Sequence, residues 1–138
     1  MAVEDERNWR RFGPDSAERA ALLALSEHLG VPLRPRAVEL SPGTMFEIEG
    51  VDPDGRHLLQ VVVNRGTYTS QKRNKVLADM FKLLWLKATR FPDCRVGLLL
   101  NENTSEAFKP RSWTFLAAQE LGFDLYVLAD DGTVTRHN

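Results

Sequence analysis

Residues 45–64 read MFEIEGVDPDGRHLLQVVVN, and this stretch decides the predicted fold. The pattern predicts a strand over Met45–Glu49 and a second strand over His57–Asn64, joined by a tight turn at residues 52–55. Its Pro-Asp-Gly sequence suits a turn because proline presets φ and glycine supplies a positive φ without steric cost. The two strands should therefore pair as an antiparallel hairpin.

The acidic residues of the first strand follow the alternation of an extended chain. Because successive side chains point to opposite faces, Glu47 and Glu49 should share one face of the sheet. The solvated face of a half-buried strand is the simplest explanation of such a pair. The second strand is apolar on one face and nearly so on the other, which predicts a position in the middle of the sheet.

Helical periodicity appears on both sides of the hairpin. Before it, Asp15 and Glu18 predict a capping box for a helix over Ser16–Leu29, which Gly30 should end. After it, Ser70 is the predicted N-cap of a long helix. The predicted buried stripe of that long helix comprises Val76, Leu77, Met80, Phe81, Leu84 and Ala88, and its predicted polar side carries Lys75, Asp79 and Lys82. The apolar surface is broad enough to be covered on more than one side, by the rest of the fold or by another subunit.

The second half of the chain alternates strands and helices. Continuous apolar runs at Val96–Leu100 and Leu125–Leu128 predict buried strands. A helix beginning at Pro110 and burying Trp113, Leu116, Ala117 and Leu121 separates them, with Gly122 at its end. Strand, helix and strand in this order predict a right-handed crossover and parallel pairing. A short extended piece at residues 37–40 gives the order α-β-β-β-α-β-α-β, to which residues 133–135 add a short edge strand. This order predicts an α/β fold, close to α+β, with a mixed central β-sheet flanked by helices.

The bulk properties fit a single domain of 138 residues. We assign residues 15–138 to it and residues 1–14 to an N-terminal arm, which either docks through Trp9 and Phe12 or frays. The chain has no apolar run of about 20 residues and no signal-peptide core, so a cytoplasmic protein without a membrane span is expected. Its one cysteine, Cys94, excludes an intramolecular disulfide and a thiolate zinc cluster. A net charge of −1 argues against a general polycation.

The hairpin and the helix that follows it carry a family resemblance. The segment Phe46-Glu47-Ile48-Glu49-Gly50, the strand after the Pro-Asp-Gly turn and a helix entered through Lys72-Arg73-Asn74-Lys75 resemble the restriction-endonuclease-like, or PD-(D/E)XK nuclease, superfamily over about residues 15–129. The resemblance implies a restriction-endonuclease-like fold. It also places Glu49 at the first acidic position of the active site, Gln60 at the second and Val62 at the lysine position, where the family gathers a divalent metal and the attacking water.

The motif departs from the family at two of these positions. Mg²⁺ prefers oxygen ligands, so Glu49 suits it whereas Gln60 offers only a neutral carbonyl oxygen. A valine at position 62 can neither orient a water molecule nor offset developing negative charge. Lys75 or Lys82 would supply the missing cation if it has moved to the following helix. The alternative for these two lysines is ordinary ion pairing with Asp79 along that helix.

A basic segment lies between the second strand and the long helix. Arg65, Lys72, Arg73 and Lys75 are candidate contacts to nucleic-acid phosphates, helped by the helix N-terminus. A plain soluble loop explains the same residues equally well.

Three functions remain open from the sequence. The first is a nuclease-fold protein with a degenerate catalytic motif that binds nucleic acid or a protein partner. The second is an active Mg²⁺-dependent nuclease with a relocated lysine. The third is a homodimeric assembly or regulatory protein whose broad apolar helix and Trp9 arm form the dimer surface, without nucleic acid.

Overall fold

The computed structural model describes residues 5–63 and 66–138 and has a mixed α/β architecture with one six-stranded sheet. The strands are β1 (Arg34–Ser41), β2 (Thr44–Val51), β3 (His57–Val62), β4 (Arg95–Asn101), β5 (Asp124–Leu128) and β6 (Val134–Arg136). The α-helices are α1 (Ala17–Leu29), α2 (Ser70–Thr89) and α3 (Trp113–Glu120), and short 3-10 helices cover Glu6–Trp9 and Thr104–Phe108. The predicted order of helices and strands is confirmed, and β6 completes it.

The sheet follows chain order from β1 to β6. Strands β1, β2 and β3 are antiparallel neighbours, β3, β4 and β5 are parallel, and β6 returns antiparallel to β5. The hairpin turn forms as predicted: Gly55 has a φ of 68°, and its N–H donates to the Asp52 carbonyl oxygen at 3.0 Å. The Asp52 carboxylate also accepts from the His57 N–H at 2.7 Å, which fixes the start of β3.

Each face of the sheet has its own apolar core. On one face, Leu59, Val61 and Leu99 pack with the buried side of α1. On the other, Leu58 and Val62 pack with α2, α3 and the neighbouring strands. The strand β3 therefore contributes alternate residues to two cores, as its apolar sequence predicted.

The N-terminal caps of α1 and α2 differ from the predicted caps by one residue. The cap of α1 is Ser16, whose side chain accepts from the Arg19 N–H, so the predicted capping box at Asp15 is wrong. The cap of α2 is Thr69 rather than Ser70, and its hydroxyl accepts from the Lys72 N–H. In both places two adjacent residues can cap, and the backbone angles of the entering chain select one.

The predicted buried stripe of α2 is wrong in phase. Phe81 is 73 % exposed, whereas Asp79, assigned to the polar side, is only 6 % exposed. Val76, Met80, Leu83 and Leu86 form the buried side. The helix is apolar over so much of its circumference that periodicity alone allowed several phases, and packing on β3 and β4 selected this one.

The third helix begins later than predicted and buries different residues. It starts at Trp113, three residues after Pro110. Trp113, Leu116 and Leu121 are more than half exposed, so three members of the predicted stripe are wrong. Thr114 and Ala118 face the core instead, which lets this short helix approach the sheet closely.

Residues 5–14 of the N-terminal arm pack on the domain. Trp9 is 1 % exposed and Phe12 is 5 % exposed, and both join the core beneath α1. The indole of Trp9 lies between two guanidinium groups, with Arg19 4.6 Å and Arg34 4.2 Å from its ring centroid. Across the described residues 5–138, apart from 64 and 65, no helix is long and apolar enough to cross a bilayer.

Candidate functional site

Glu49 and Gln60 meet where the hairpin strands separate. The ladder between β2 and β3 pairs Gly50 with Leu59 and Val51 with Leu58. Just beyond it, Gln60 Oε1 accepts from the Glu49 N–H at 2.9 Å, and Glu49 Oε1 accepts from the Val61 N–H at 3.2 Å. Side-chain oxygens thus take the place of ladder carbonyls. The two residues predicted to form a site do lie together, on neighbouring antiparallel strands.

The local backbone explains why the strands separate here. The register between β1 and β2 shifts between Arg34 and Arg36, opposite residues 48–51 of β2. Gly50 follows Glu49, and a Cβ atom at this position would lie 2.8 Å from Leu22 Cδ2 of α1. The close approach of α1 and the irregular register place the Glu49 side chain between the strands rather than in solvent.

Glu49 is a buried carboxylate with a perturbed proton affinity. It is 8 % exposed, and burial raises its pKa above the usual range. The Val61 N–H opposes this rise, the charge of Asp79 adds to it, and Arg11 and Lys75 oppose it again. Arg11 Nη2 lies 3.4 Å from Glu49 Oε2. The group is therefore poised between the neutral and charged forms more closely than an exposed glutamate.

Asp79, predicted on the polar side of α2, is a second buried carboxylate at this place, so that prediction is wrong. Burial raises its pKa, while Lys82, Lys75 and a hydrogen bond from Gln60 lower it. Gln60 therefore touches both acids, through its carbonyl oxygen on the Glu49 backbone and through its amide on Asp79. The position was detectable in the sequence, because Asp79 lies three residues after Val76 and four before Leu83, inside the buried side of α2.

Lys75 and Glu49 line one cleft. Its volume is about 360 Å³, and its lining residues are Arg11, Phe12, Ser16, Glu18, Glu49, Val61, Val63 and Lys75. The arm supplies Arg11, 38 residues before Glu49 in the chain, so no local pattern could have indicated it. The cleft brings two cations, Arg11 and Lys75, and two carboxylates, Glu18 and Glu49, to the point where β2 and β3 separate.

The other predicted site residues lie elsewhere. Lys82 is exposed, with its ammonium 5.4 Å from the Phe46 ring centroid, and it does not line the cleft. Val62, at the lysine position of the resemblance, is 1 % exposed and belongs to the core beneath α2. A cation acting in the cleft must therefore come from outside β3.

The basic segment is described only in part. Lys72 and Arg73 are half-buried in the first turn of α2, and Lys72 Nζ donates to the Thr67 carbonyl oxygen at 2.8 Å. Arg65 was also predicted to bind nucleic acid and lies outside the described residues. Lys75 is exposed one turn after Lys72, so the basic residues of α2 lead from its N-terminus to the cleft.

The side chains of residues 5–63 and 66–138 form no large cluster of metal ligands. No group of three or more His, Cys, Asp or Glu side chains there could hold a metal ion. The carboxylates of Glu49 and Asp79 and the carbonyl oxygen of Gln60 supply three side-chain oxygen donor groups at this place. All three are oxygen ligands of the kind that hard cations prefer.

No protein-family description, no curated protein and no solved structure matches this chain. The residues of the cleft and their chemistry therefore carry the functional argument.

Proposed function

We propose that this chain has a restriction-endonuclease-like fold with a degenerate catalytic motif, and that it binds nucleic acid along the cleft beside Glu49. Three features support the fold. The antiparallel hairpin β2–β3 is followed by the parallel pair β3–β4, the long helix α2 connects β3 to β4, and Glu49 and Gln60, to which the resemblance assigns the acidic positions, lie next to each other. The core position of Val62 supports the degeneracy, since β3 presents no cation to the cleft.

The observation that carries the binding proposal is the cation arrangement around the cleft. Arg11 and Lys75 line it from two separate elements, and Lys72 and Arg73 precede Lys75 at the start of α2. The first turn of α2 contains no acidic residue. Cations at a helix N-terminus oppose the helix dipole, so a bound phosphate would offset both the dipole and the crowded positive charge. Binding of a phosphodiester backbone would account for the placement of these four cationic residues around the cleft and the start of α2.

A matched pair of charge reversals on α2 tests this proposal. Lys75 and Lys82 are both exposed and both influence Asp79, but Lys75 alone of the two lines the cleft. Fluorescence anisotropy with single- and double-stranded DNA and RNA at low salt should show at least tenfold weaker binding for Lys75→Glu. Lys82→Glu should change affinity much less. The doubly reversed Lys72→Glu/Arg73→Glu protein should also bind weakly and show a shallower salt dependence.

Two results would overturn the binding proposal. The first is failure of the wild-type protein to bind any of these nucleic acids at low salt. The second is equal weakening by the reversals at Lys75 and Lys82, which would indicate a general charge effect rather than the cleft.

Metal-dependent cleavage is a second candidate function, favoured by the buried position of Asp79. The charge of Asp79 raises the pKa of Glu49, and a hard cation between the two carboxylates would relieve this repulsion. With Gln60 Oε1 they fit Mg²⁺, which is usually held by one or two carboxylates, water and substrate phosphate. The bound ion would supply an activated water and charge stabilisation. Lys75 would act as the relocated cation, orienting the phosphate at the cleft.

Cleavage assays separate this candidate from simple binding. An active enzyme should cut DNA or RNA with Mg²⁺ or Mn²⁺, and both Glu49→Ala and Lys75→Met should abolish the cut. Lys82→Met serves as the control and should retain activity. Absence of cleavage at high protein concentration with either metal would remove the candidate while leaving the binding proposal intact.

A homodimer through α2 is a separate proposal, favoured by the exposed apolar residues of this helix. The Trp9 part of the predicted dimer surface is wrong, because Trp9 is buried in its own domain. Phe81 and Trp85 are one turn apart and are 73 % and 40 % exposed. Burial of an aromatic pair against a second copy would remove this surface from water. Light scattering should report a dimer for the wild-type chain and a monomer for Phe81→Glu. A monomeric wild-type protein at high concentration would contradict the proposal.

A further inference from the structure

A second pocket opens at the edge of the sheet where the parallel strands β3, β4 and β5 end. Its volume is about 360 Å³, which falls within the range of small-molecule pockets, about 300–1,000 Å³. The strands reach it through Val63, which follows β3, through Asn101, the last residue of β4, and through Leu128, the last residue of β5. The crevice outside the carboxyl ends of parallel strands is where open α/β sheets bind their ligands.

The facing wall of this pocket belongs to α1 and consists of Ala17, Ala20 and Ala24. We call the space between this wall and the strand ends the alanine pocket. Ala17 and Ala20 are exposed, whereas the neighbouring Ala21 and Leu22 are fully buried and pack α1 on the sheet. The packing of α1 therefore does not require small residues at positions 17 and 20. Their small size keeps the alanine pocket open, since longer side chains there would fill it.

The lining favours a flat, largely apolar group over an anion. Alanine methyl groups form one wall, and the side chains of Val63 and Leu128 lie at the strand ends. The side-chain oxygen of Asn101 is used within the fold, where it accepts from the Thr104 N–H at 3.0 Å. The exposed Asp130 also lines the alanine pocket, and its carboxylate repels a phosphate. The occupant that fits these groups is a ring rather than a backbone phosphate.

The alanine pocket and the cleft adjoin each other at the end of β3 and the start of α1. Val63 lines both. Ser16 lines the cleft, and the next residue, Ala17, lines the alanine pocket. Their Cα atoms are about 3.8 Å apart, as in any trans peptide. A nucleotide whose phosphate contacts Lys75 in the cleft can therefore direct its base toward the alanine pocket.

We propose that the alanine pocket takes one unstacked nucleobase of the strand that occupies the cleft. The inference rests on the proposed binding function and names its substrate class. Proteins hold an extruded base by contact between its faces and apolar or aromatic side chains. A base in a duplex must first be unpaired and unstacked, which costs free energy. The preferred ligand is therefore a single strand rather than a duplex.

Ala20→Leu tests the inference, with Ala88→Leu as its matched control. Both alanines are exposed on helices, and leucine has nearly the helix propensity of alanine, so both variants should fold. The leucine at position 20 fills the alanine pocket, whereas Ala88 lines neither this pocket nor the cleft. In anisotropy titrations with a single-stranded oligodeoxynucleotide at low salt, Ala20→Leu should bind about tenfold more weakly than the wild-type protein. Ala88→Leu should match the wild-type protein.

An abasic strand of the same length separates the base from the backbone. It carries the same phosphate charge without any base, so the wild-type protein should bind it about tenfold more weakly than the intact strand. Ala20→Leu should leave the affinity for the abasic strand unchanged, and it should also leave the affinity for the duplex unchanged. Ala17→Leu fills the same pocket from the other exposed alanine, and it supplies the test if Ala20→Leu fails to fold.

The outcomes separate the alanine pocket from the cleft. Equal affinities of Ala20→Leu and Ala88→Leu for the intact strand, in a protein that loses affinity with Lys75→Glu, would overturn the inference and leave the proposed function standing. Equal weakening of the intact and abasic strands by Ala20→Leu would also overturn the inference, because the leucine would then obstruct the backbone. A wild-type protein that binds no oligonucleotide would overturn both the proposed function and the base assignment.

Discussion

The side chain of Gln60 accepts a hydrogen bond from the backbone N–H of Glu49 at 2.9 Å. This contact crosses between β3 and β2 where their ladder ends, and it occurs between two residues that are both less than 10 % exposed. The glutamine is therefore a structural member of the sheet as well as a candidate ligand. The stability of any Gln60 variant therefore has to be measured before a change in its activity can be interpreted.

We predict that Gln60→Glu destabilises the protein and that Mg²⁺ restores part of the loss. The substitution removes the amide that donates to Asp79 and adds a third carboxylate beside Glu49. Losing a buried hydrogen bond to a charged group costs about 1–3 kcal/mol, and crowding of like charge adds to it. A cation that binds only the folded protein stabilises it by mass action. Urea unfolding with EDTA or with millimolar Mg²⁺ measures both effects.

Gln60→Leu is the control for this experiment. It removes the same amide without adding charge, so it should be destabilised and should gain less stability from Mg²⁺ than the glutamate variant. If Mg²⁺ stabilises the leucine and glutamate variants equally, the side chain at position 60 is not a ligand of the ion.

The pH dependence of stability should reveal the buried charge of Asp79. Its pKa is raised in the folded state, so the folded protein holds the proton over a range where the unfolded chain has released it. Stability from this group is complete below the unfolded value, about pH 4, and is lost as pH rises through the folded value. Asp79→Asn removes the titration and keeps an acceptor for Gln60. The variant should gain stability relative to the wild-type protein as pH rises from about 4 toward neutral.

Asp131→Asn provides a contrast of opposite sign. Asp131 accepts from the Thr133 N–H, and its pKa is lowered, so its contribution is present above the unfolded value and is lost as pH falls through the folded one. This variant should lose stability relative to the wild-type protein as pH rises from acid to neutral. A difference between Asp79→Asn and the wild-type protein that stays constant from about pH 4 to neutral would contradict the assignment of a raised pKa at position 79.

Local rules predicted the parts of the fold that depend on neighbouring residues. The turn at residues 52–55, the parallel strands β4 and β5 and the C-terminal Gly30 of α1 follow from glycine, proline and apolar runs. The adjacency of Glu49 and Gln60 followed too, because a tight hairpin fixes which residues face each other.

The rest of the site depends on packing that no local pattern contains. Arg11 reaches Glu49 across 38 residues of chain because Trp9 and Phe12 anchor the arm in the core. Asp79 faces inward because α2 rotates to pack on β3 and β4, which leaves Phe81 outside. When a helix has apolar residues around most of its circumference, its sequence does not indicate which side is buried.

The cap of α2 can be tested with two adjacent hydroxyl residues. Thr69 accepts from the Lys72 N–H at 3.2 Å, and Ser70 is the first residue of the helix. Thr69→Ala should lower the free energy of unfolding by about 1 kcal/mol, since it leaves a first-turn N–H without its side-chain acceptor. Ser70→Ala should change it by less than about half of that amount. Equal losses in denaturant unfolding would show that the cap is shared.

Gly97 of β4 is packed so closely against its neighbours that adding one methyl group there should lower the free energy of unfolding substantially. A Cβ atom on Gly97 would lie 2.6 Å from Leu59 Cδ2 and 2.7 Å from the Asp124 carbonyl oxygen. The leucine can move but the backbone carbonyl is held by the sheet, so Gly97→Ala should cost about 1–3 kcal/mol or more. Gly13→Ala is the matched control, because nothing lies within 4 Å of its Cβ position. Urea midpoints should fall for residue 97 and stay equal or rise for residue 13, and equal midpoints would show that β4 and β5 tolerate separation.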